Sequence, residues 1–202
     1  TYRHAGIFDW QHSQANDSTR VTAFVQRYGV QLFHNFTYFM NDPVNGDQFE
    51  QFENRWTTGA KVTHRKIARV AGKPTESAVG VDFRNDSVGG PLGLYHTRQT
   101  ERLETIRADE ADQSTVGIFG ETEVEWSRTV RTTFGLRGDL YRWKVDSSNP
   151  LNSGKELSAI VNPKISAAFG PWGGTEFYAN WGMGYHSNSG LGILLKVDPI
   201  SG

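Results

Sequence analysis

Residues 130–140 read Val-Arg-Thr-Thr-Phe-Gly-Leu-Arg-Gly-Asp-Leu, and their alternation decides the fold class. Val130, Thr132, Phe134, Leu136, Gly138 and Leu140 fall on one side of an extended chain, and Arg131, Thr133, Gly135, Arg137 and Asp139 on the other. Side chains of a strand alternate between two faces, whereas a helix would spread both sets around its circumference. The same period recurs on both sides. Val116–Trp126 sets Val116, Ile118, Val124 and Trp126 against Glu121, Glu123 and Glu125. Ala159–Phe169 sets Ala159, Val161, Ile165 and Phe169 against Asn162, Lys164 and Ser166. Thr175–His186 sets Phe177, Ala179, Trp181, Met183 and Tyr185 against Glu176, Tyr178, Asn180 and His186.

Upstream the pattern is weaker. Tyr2–Gln11, Trp56–Lys66 and Val79–Arg84 read as strands. Arg20–Met40 reads as one long strand whose phase slips near Tyr28-Gly29, so a glycine bulge is expected there. That makes eight strands. Short turns are expected near His12–Ser18, Arg69–Pro74, Ser127–Thr129 and Gly170–Gly174, and long polar loops at Asn41–Arg55, Asn85–Gln113, Val145–Leu157 and after Tyr185. Alternating short and long connections are the habit of a transmembrane β-barrel. Aromatic residues follow the same sorting. Trp10, Trp126 and Trp172 sit by the short turns, and Tyr38, Phe39, Tyr141, Trp143 and Tyr185 sit towards the long loops, as two interfacial girdles would.

Composition agrees. The 202 residues are 37% apolar and 12% aromatic with 22 glycines, too apolar for a disordered chain and well suited to strands. Mean hydropathy is -0.54, and no run approaches the roughly 20 apolar residues of a membrane helix. Twenty-one basic and 22 acidic residues give a net charge of -1 and no basic stripe, so nucleic acid is not an expected partner. The absence of cysteine excludes disulfide scaffolds and thiol catalysis.

Thr115–Asn188 resembles the C-terminal half of a TonB-dependent outer-membrane receptor barrel. The resemblance rests on Phe134-Gly135-Leu136-Arg137-Gly138-Asp139 with Tyr141, Asn162-Pro163-Lys164, and Phe169-Gly170-Pro171-Trp172. It continues through Thr175–Asn180, Gly182–Asn188 and Val197-Asp198-Pro199, and upstream through Asn35–Phe39 and Gly46–Phe49. It implies an all-β fold: an antiparallel transmembrane β-barrel segment, about eight strands of a barrel of about 22. Residues 1–202 are then a partial barrel domain, with plug and barrel closure outside this chain. Both termini would lie on the long-loop side, which a complete single-chain barrel avoids. The implied function is a segment of a receptor for energy-coupled uptake of a scarce ligand, such as a ferric siderophore. The implied partners are outer-membrane lipid, the receptor's own plug domain, the TonB complex and a small-molecule ligand. The implied location is the outer membrane of a Gram-negative cell. One departure is Ser189-Gly190-Leu191-Gly192, where such receptors often carry an acidic residue and then Arg-Gly, so no contact is carried over from those positions. A porin-like barrel and a soluble carbohydrate-binding β-sandwich remain alternatives.

No enzyme, cofactor or resident metal is expected. The six histidines, at 4, 12, 34, 64, 96 and 186, have no close ligand spacing, and Asp47, Glu50, Glu53 and Asp109, Glu110, Asp112 read as solvated loop charge. Glu121, Glu123 and Glu125 are expected to pair across strands with Arg131 and Arg137 in a polar interior. Arg137, Asp139, Tyr178, Asn180 and His186 lie on that polar face near the long connections and are the candidates for touching plug or ligand. A charge at Phe134, Leu136 or Ile165 should cost about 2–4 kcal/mol, whereas one at Arg137 or Glu123 should be mild.

Overall fold

The computed structural model describes residues 1–35, 39, 42–44, 46–184 and 190–198, with the side chains of 91, 190 and 191 excepted. Eight strands form one antiparallel sheet in chain order. They are β1 (Tyr2–Ser13), β2 (Asp17–His34), β3 (Gln48–Val70), β4 (Lys73–Arg98), β5 (Glu101–Ser127), β6 (Val130–Ser147), β7 (Gly154–Trp172) and β8 (Thr175–Gly182). A single sheet is not a sandwich, which needs two sheets packed face to face. The sandwich alternative therefore falls.

Directly opposed residues share a face, so register carries the two-sided pattern of β6 around the wall. One rung runs Val62, Val81, Ile118, Gly138, Val161 across β3 to β7. All four valine and isoleucine side chains stand open, Ile118 with 65% of its surface exposed. The neighbouring rung runs Lys61, Asp82, Gly117, Asp139, Ile160 and points the other way. Phe8, Phe134, Leu136, Ile165, Phe177 and Trp181 extend the open apolar face, which is far too broad to face water alone. On β5 the outward run from Val116 to Trp126 matches the 9–11 residues with which a tilted strand crosses a hydrocarbon layer.

The connections differ from expectation at one end. The short turns are present: Ala71-Gly72, Arg128-Thr129 and Gly173-Gly174 each join two strands directly. Two of the expected loops are strand instead. Residues 85–113 form a hairpin in which β4 (26 residues) and β5 (27 residues) turn at Gln99-Thr100. β3 starts at Gln48, inside the expected loop 41–55. Beyond β6, which reaches only to Asp109, the β4–β5 hairpin continues for about 27 Å along the strand, eight residues at roughly 3.4 Å each. Both turn residues have positive φ, 47° and 72°, and Gln48 braces them, its Oε1 accepting the Thr100 N–H at 3.1 Å. Of the expected loop 145–157 only residues 148–153 connect β6 and β7, with a short 3₁₀ turn at Pro150–Asn152.

The bulge expected at Tyr28-Gly29 is not there. Pairing with β1 and β3 runs through both residues without a shift. Gly29 is small because the Tyr2 ring lies over it: an added Cβ would sit 2.4 Å from that ring. Register shifts occur elsewhere, among them one in β4 between Val88 and Leu92. The far girdle also needs correction. Tyr141 and Trp143 share the face of Arg137 and Asp139 and are buried, stacked at 5.4 Å, so they do not meet lipid. Trp10, Trp126 and Trp172 do lie open beside the short turns. Phe36, Thr37, Tyr38, Met40 and Tyr185 to Asn188 lie outside the described residues.

Candidate functional site

The polar face is built by long side chains that cross a small residue on the strand between them. Arg137 on β6 reaches over Gly117 on β5 to Asp82 on β4, bonding both carboxylate oxygens at 2.8 and 3.0 Å. It also bonds Asp139 on its own strand at 2.6 and 2.8 Å. A Cβ on Gly117 would stand 2.2 Å from the Arg137 guanidinium, so glycine there is what opens the path. Lys164 on β7 crosses Gly135 in the same way to Glu121 on β5, at 2.5 Å. The Phe119 ring lies over Gly80, and Phe24 over Gly59. Lys61 completes the patch, its ammonium 4.9 Å from the Phe119 ring centre.

Of the expected site residues, Arg137 and Asp139 therefore meet in one network with Asp82. Tyr178 belongs to a second network at β8. Its hydroxyl donates to Glu176, whose carboxylate also takes the Arg131 guanidinium at 3.2 and 3.3 Å across Ala168. Asn180 stands opposite Ser166 on the same face, joined to neither network. His186 lies outside the described residues. The expected pairing of Arg131 and Arg137 with the glutamates of β5 is replaced by Glu176 and by Asp82 with Asp139. Glu123 accepts the Thr133 hydroxyl at 3.3 Å instead.

Two features were not foreseen from the sequence. Asn152 binds the chain beyond α1 (Gly190–Ile193): its Oδ1 accepts the N–H groups of Lys196 and Val197, each at 2.9 Å, and its Nδ2 donates to the Val197 carbonyl at 2.9 Å. Glu50 on β3, expected as solvated loop charge, is instead fully buried beside the tall hairpin; it receives Arg102 through two bonds at 2.5 and 2.9 Å and Gln31 at 2.8 Å, and has Tyr95 opposite it. Arg102 also stacks 3.8 Å over the Tyr95 ring. The Arg102 guanidinium holds the Glu50 carboxyl below the usual carboxylate range. Among the described residues, no three His, Asp or Glu side chains gather as metal ligands would. The arrangement is a wall with one apolar face and one ion-paired face.

Such a wall is shared with known barrels. The profile of the TonB-dependent receptor-like β-barrel family matches residues 1–194. This chain belongs to that family. Among solved structures, the ferric citrate transporter FecA in its unliganded form superposes with a TM-score of 0.74 at 12% identity, over 89% of this chain and 27% of that one. The open form of the ferric-catecholate import receptor Fiu from E. coli gives 0.66 at 13% identity, over 89% of this chain and 35% of that one. At these identities the likeness is one of fold. The TonB-dependent receptor barrel described here thus spans about a third of the chains it resembles. No curated protein matches its sequence. The family is one of outer-membrane receptors and transporters, which accounts for an apolar face open on the outside of every strand.

Proposed function

We propose that this chain is part of the wall of an outer-membrane receptor that takes up a scarce small ligand, a ferric siderophore above all, with energy relayed by TonB. Residues 1–202 would form a partial barrel domain whose polar face meets the receptor's plug, and Arg137, Asp139, Tyr178 and Asn180 would be wall residues facing plug or ligand. The observation that carries the reading is the crossed ion-pair lattice on the inward face, Arg137 with Asp82 and Asp139, and Lys164 with Glu121. Fixed, mutually neutralised charge suits a packed interior. A free-running aqueous pore has no need to lock its cations. That the structural neighbours are a ferric citrate transporter and a ferric-catecholate import receptor supports the ligand class.

The test is uptake of iron-55 from a panel of ferric siderophores by cells with and without the intact receptor. At least one complex should enter only with the receptor present, and dissipating the proton gradient should stop it. Uptake that survives loss of the gradient would favour the porin-like alternative.

A further inference from the structure

β8 ends at Gly182, opposite Lys164. Further along, α1 packs against β6 and β5, two and three strands back. Burial tells which side of the wall it takes. The inward Tyr141, Trp143 and Val145 of β6 are buried, whereas the outward Arg142 and Asp146, and Leu157 across on β7, stay open. A single sheet covers neither of its own faces, so side chains buried on one face alone have something laid over them there. Leu194 lies 3.6 Å from where a Cβ on Gly154 would stand, and Gly154 is opposite Val145. Residues 190–198 therefore run along the inside of the wall. Their own structure is slight: α1 is four residues long and includes Gly190 and Gly192, too short and too rich in glycine to stand alone. Asn152 grips them from the β6–β7 connection with its three bonds to Lys196 and Val197. It is itself buried in a braced turn, where Ser153 Oγ accepts the Ser147 N–H and the Ala108 carbonyl accepts that of Ser148, both at 2.9 Å.

We propose that residues 190–198 are an autoinhibitory strap, latched by Asn152 over Tyr141, Trp143 and Val145, and that whatever docks on this part of the inner face must first break the latch. The two sides of the latch differ in firmness. Asn152 is fixed by its turn, while Gly192, Ile193, Leu195 and Lys196 of the strap are exposed. The face beneath is also left incomplete by the strap. The indole N–H of Trp143 is buried with no acceptor among the described residues. A buried donor without a partner is costly, so an incoming group that brings an acceptor oxygen to Trp143 gains by displacing the strap. The stacked Tyr141 and Trp143 rings would then offer it a flat surface. The inference rests on the reading that the polar face meets plug or ligand.

The test uses the full-length receptor in the outer membrane of intact cells, with Val145→Cys as its one thiol and a small membrane-impermeant maleimide as the probe. No ligand is needed, so the outcome is independent of the uptake assay. Labelling should be slow with Asn152 in place and at least tenfold faster with Asn152→Ala. Asn152→Asp keeps the acceptor and loses the donor, and should fall between the two. Leu157→Cys, outward at the same height, should react at one rate whether or not Asn152 is replaced. Val197→Pro removes one N–H from the strap without touching the β6–β7 connection; it should also speed labelling at 145, and serves if the Asn152 variants do not fold. An unchanged rate at 145 in Asn152→Ala and Val197→Pro would overturn the proposal. So would equal acceleration at 145 and 157, which would mean that the connection itself had come apart. A receptor missing from the outer membrane before any labelling contradicts the membrane reading instead.

Discussion

Replacing Leu136 with arginine sets a charge near the middle of the apolar face. The outward run of β5 from Val116 to Trp126 covers about 34 Å along the strand at roughly 3.4 Å per residue, or about 24 Å of height at a tilt near 45°. Leu136 stands opposite Gly120 and Pro163, close to the midpoint of that run, and 57% of its surface is open. Arginine there has no carboxylate on its own face to meet and too much hydrocarbon on either side to reach water easily. The expected cost is about 2–4 kcal/mol, the figure for a cation at the bilayer midplane. Glu123→Arg is the matched control. It faces inward, opposite Glu76 and Thr133, so the new cation gains a carboxylate neighbour and the change should stay within about 1 kcal/mol. Equilibrium folding titrations of the full-length receptor in phospholipid vesicles read both. Equal costs at the two positions would refute the assignment of faces.

Three further outcomes follow from the packing. Arg137→Leu should cost about 2–3 kcal/mol in the same titration, because it strands Asp82 and the fully buried Asp139 carboxylate; adding Asp139→Asn should recover part of it. Gly80→Ala should cost about 1–3 kcal/mol, since its Cβ would sit 2.7 Å from the Val62 carbonyl oxygen, which cannot rotate away, while Gly120→Ala with 3.8 Å of clearance should be nearly neutral. Glu50 on β3, bound to Arg102 of the hairpin, has a lowered pKa in the folded state, so its contribution is present above the unfolded carboxylate value near 4.3 and is lost as pH falls through the lower folded value. Protease resistance of the hairpin should therefore drop below about pH 4, and Glu50→Gln should flatten that dependence.

The residues that could be read from sequence are those where lipid enforces a two-faced pattern. In β6 and β7 the alternation of Val130–Leu140 and Ala159–Phe169 survives intact in the register. Beyond the apolar face neither side of a strand must be oily, so residues 85–113 lost their pattern and read as loop although they are paired throughout most of their length. Their turn, Gln99-Thr100, contains neither Gly nor Asn, and it is held by Gln48 from another strand. Val30 and Leu32 suggested a slipped phase for the same reason. They stand opposite Glu53 and Gln51, and no bulge is needed to place them. The polar face was foreseen, but the partners were not. Whether Arg137 finds a glutamate or Asp82 depends on which intervening residue is glycine, and only the register reveals that Gly117 lies in its path.

The central claim is that alternate residues of one strand meet lipid and a polar interior, and the cysteine-free sequence allows it to be read one position at a time. Single cysteines at 159–162 and 164–167 of β7, spin-labelled in the membrane-inserted receptor, would report collisions with oxygen and with a water-soluble nickel chelate. Ala159, Val161, Ile165 and Ala167 should favour oxygen, and Ile160, Asn162, Lys164 and Ser166 should be shielded from it. Ile160 is decisive, being apolar yet inward, opposite Asp139. Oxygen accessibility that follows residue polarity, with Ile160 grouped among the lipid-facing positions, or that shows no period of two, would contradict the account.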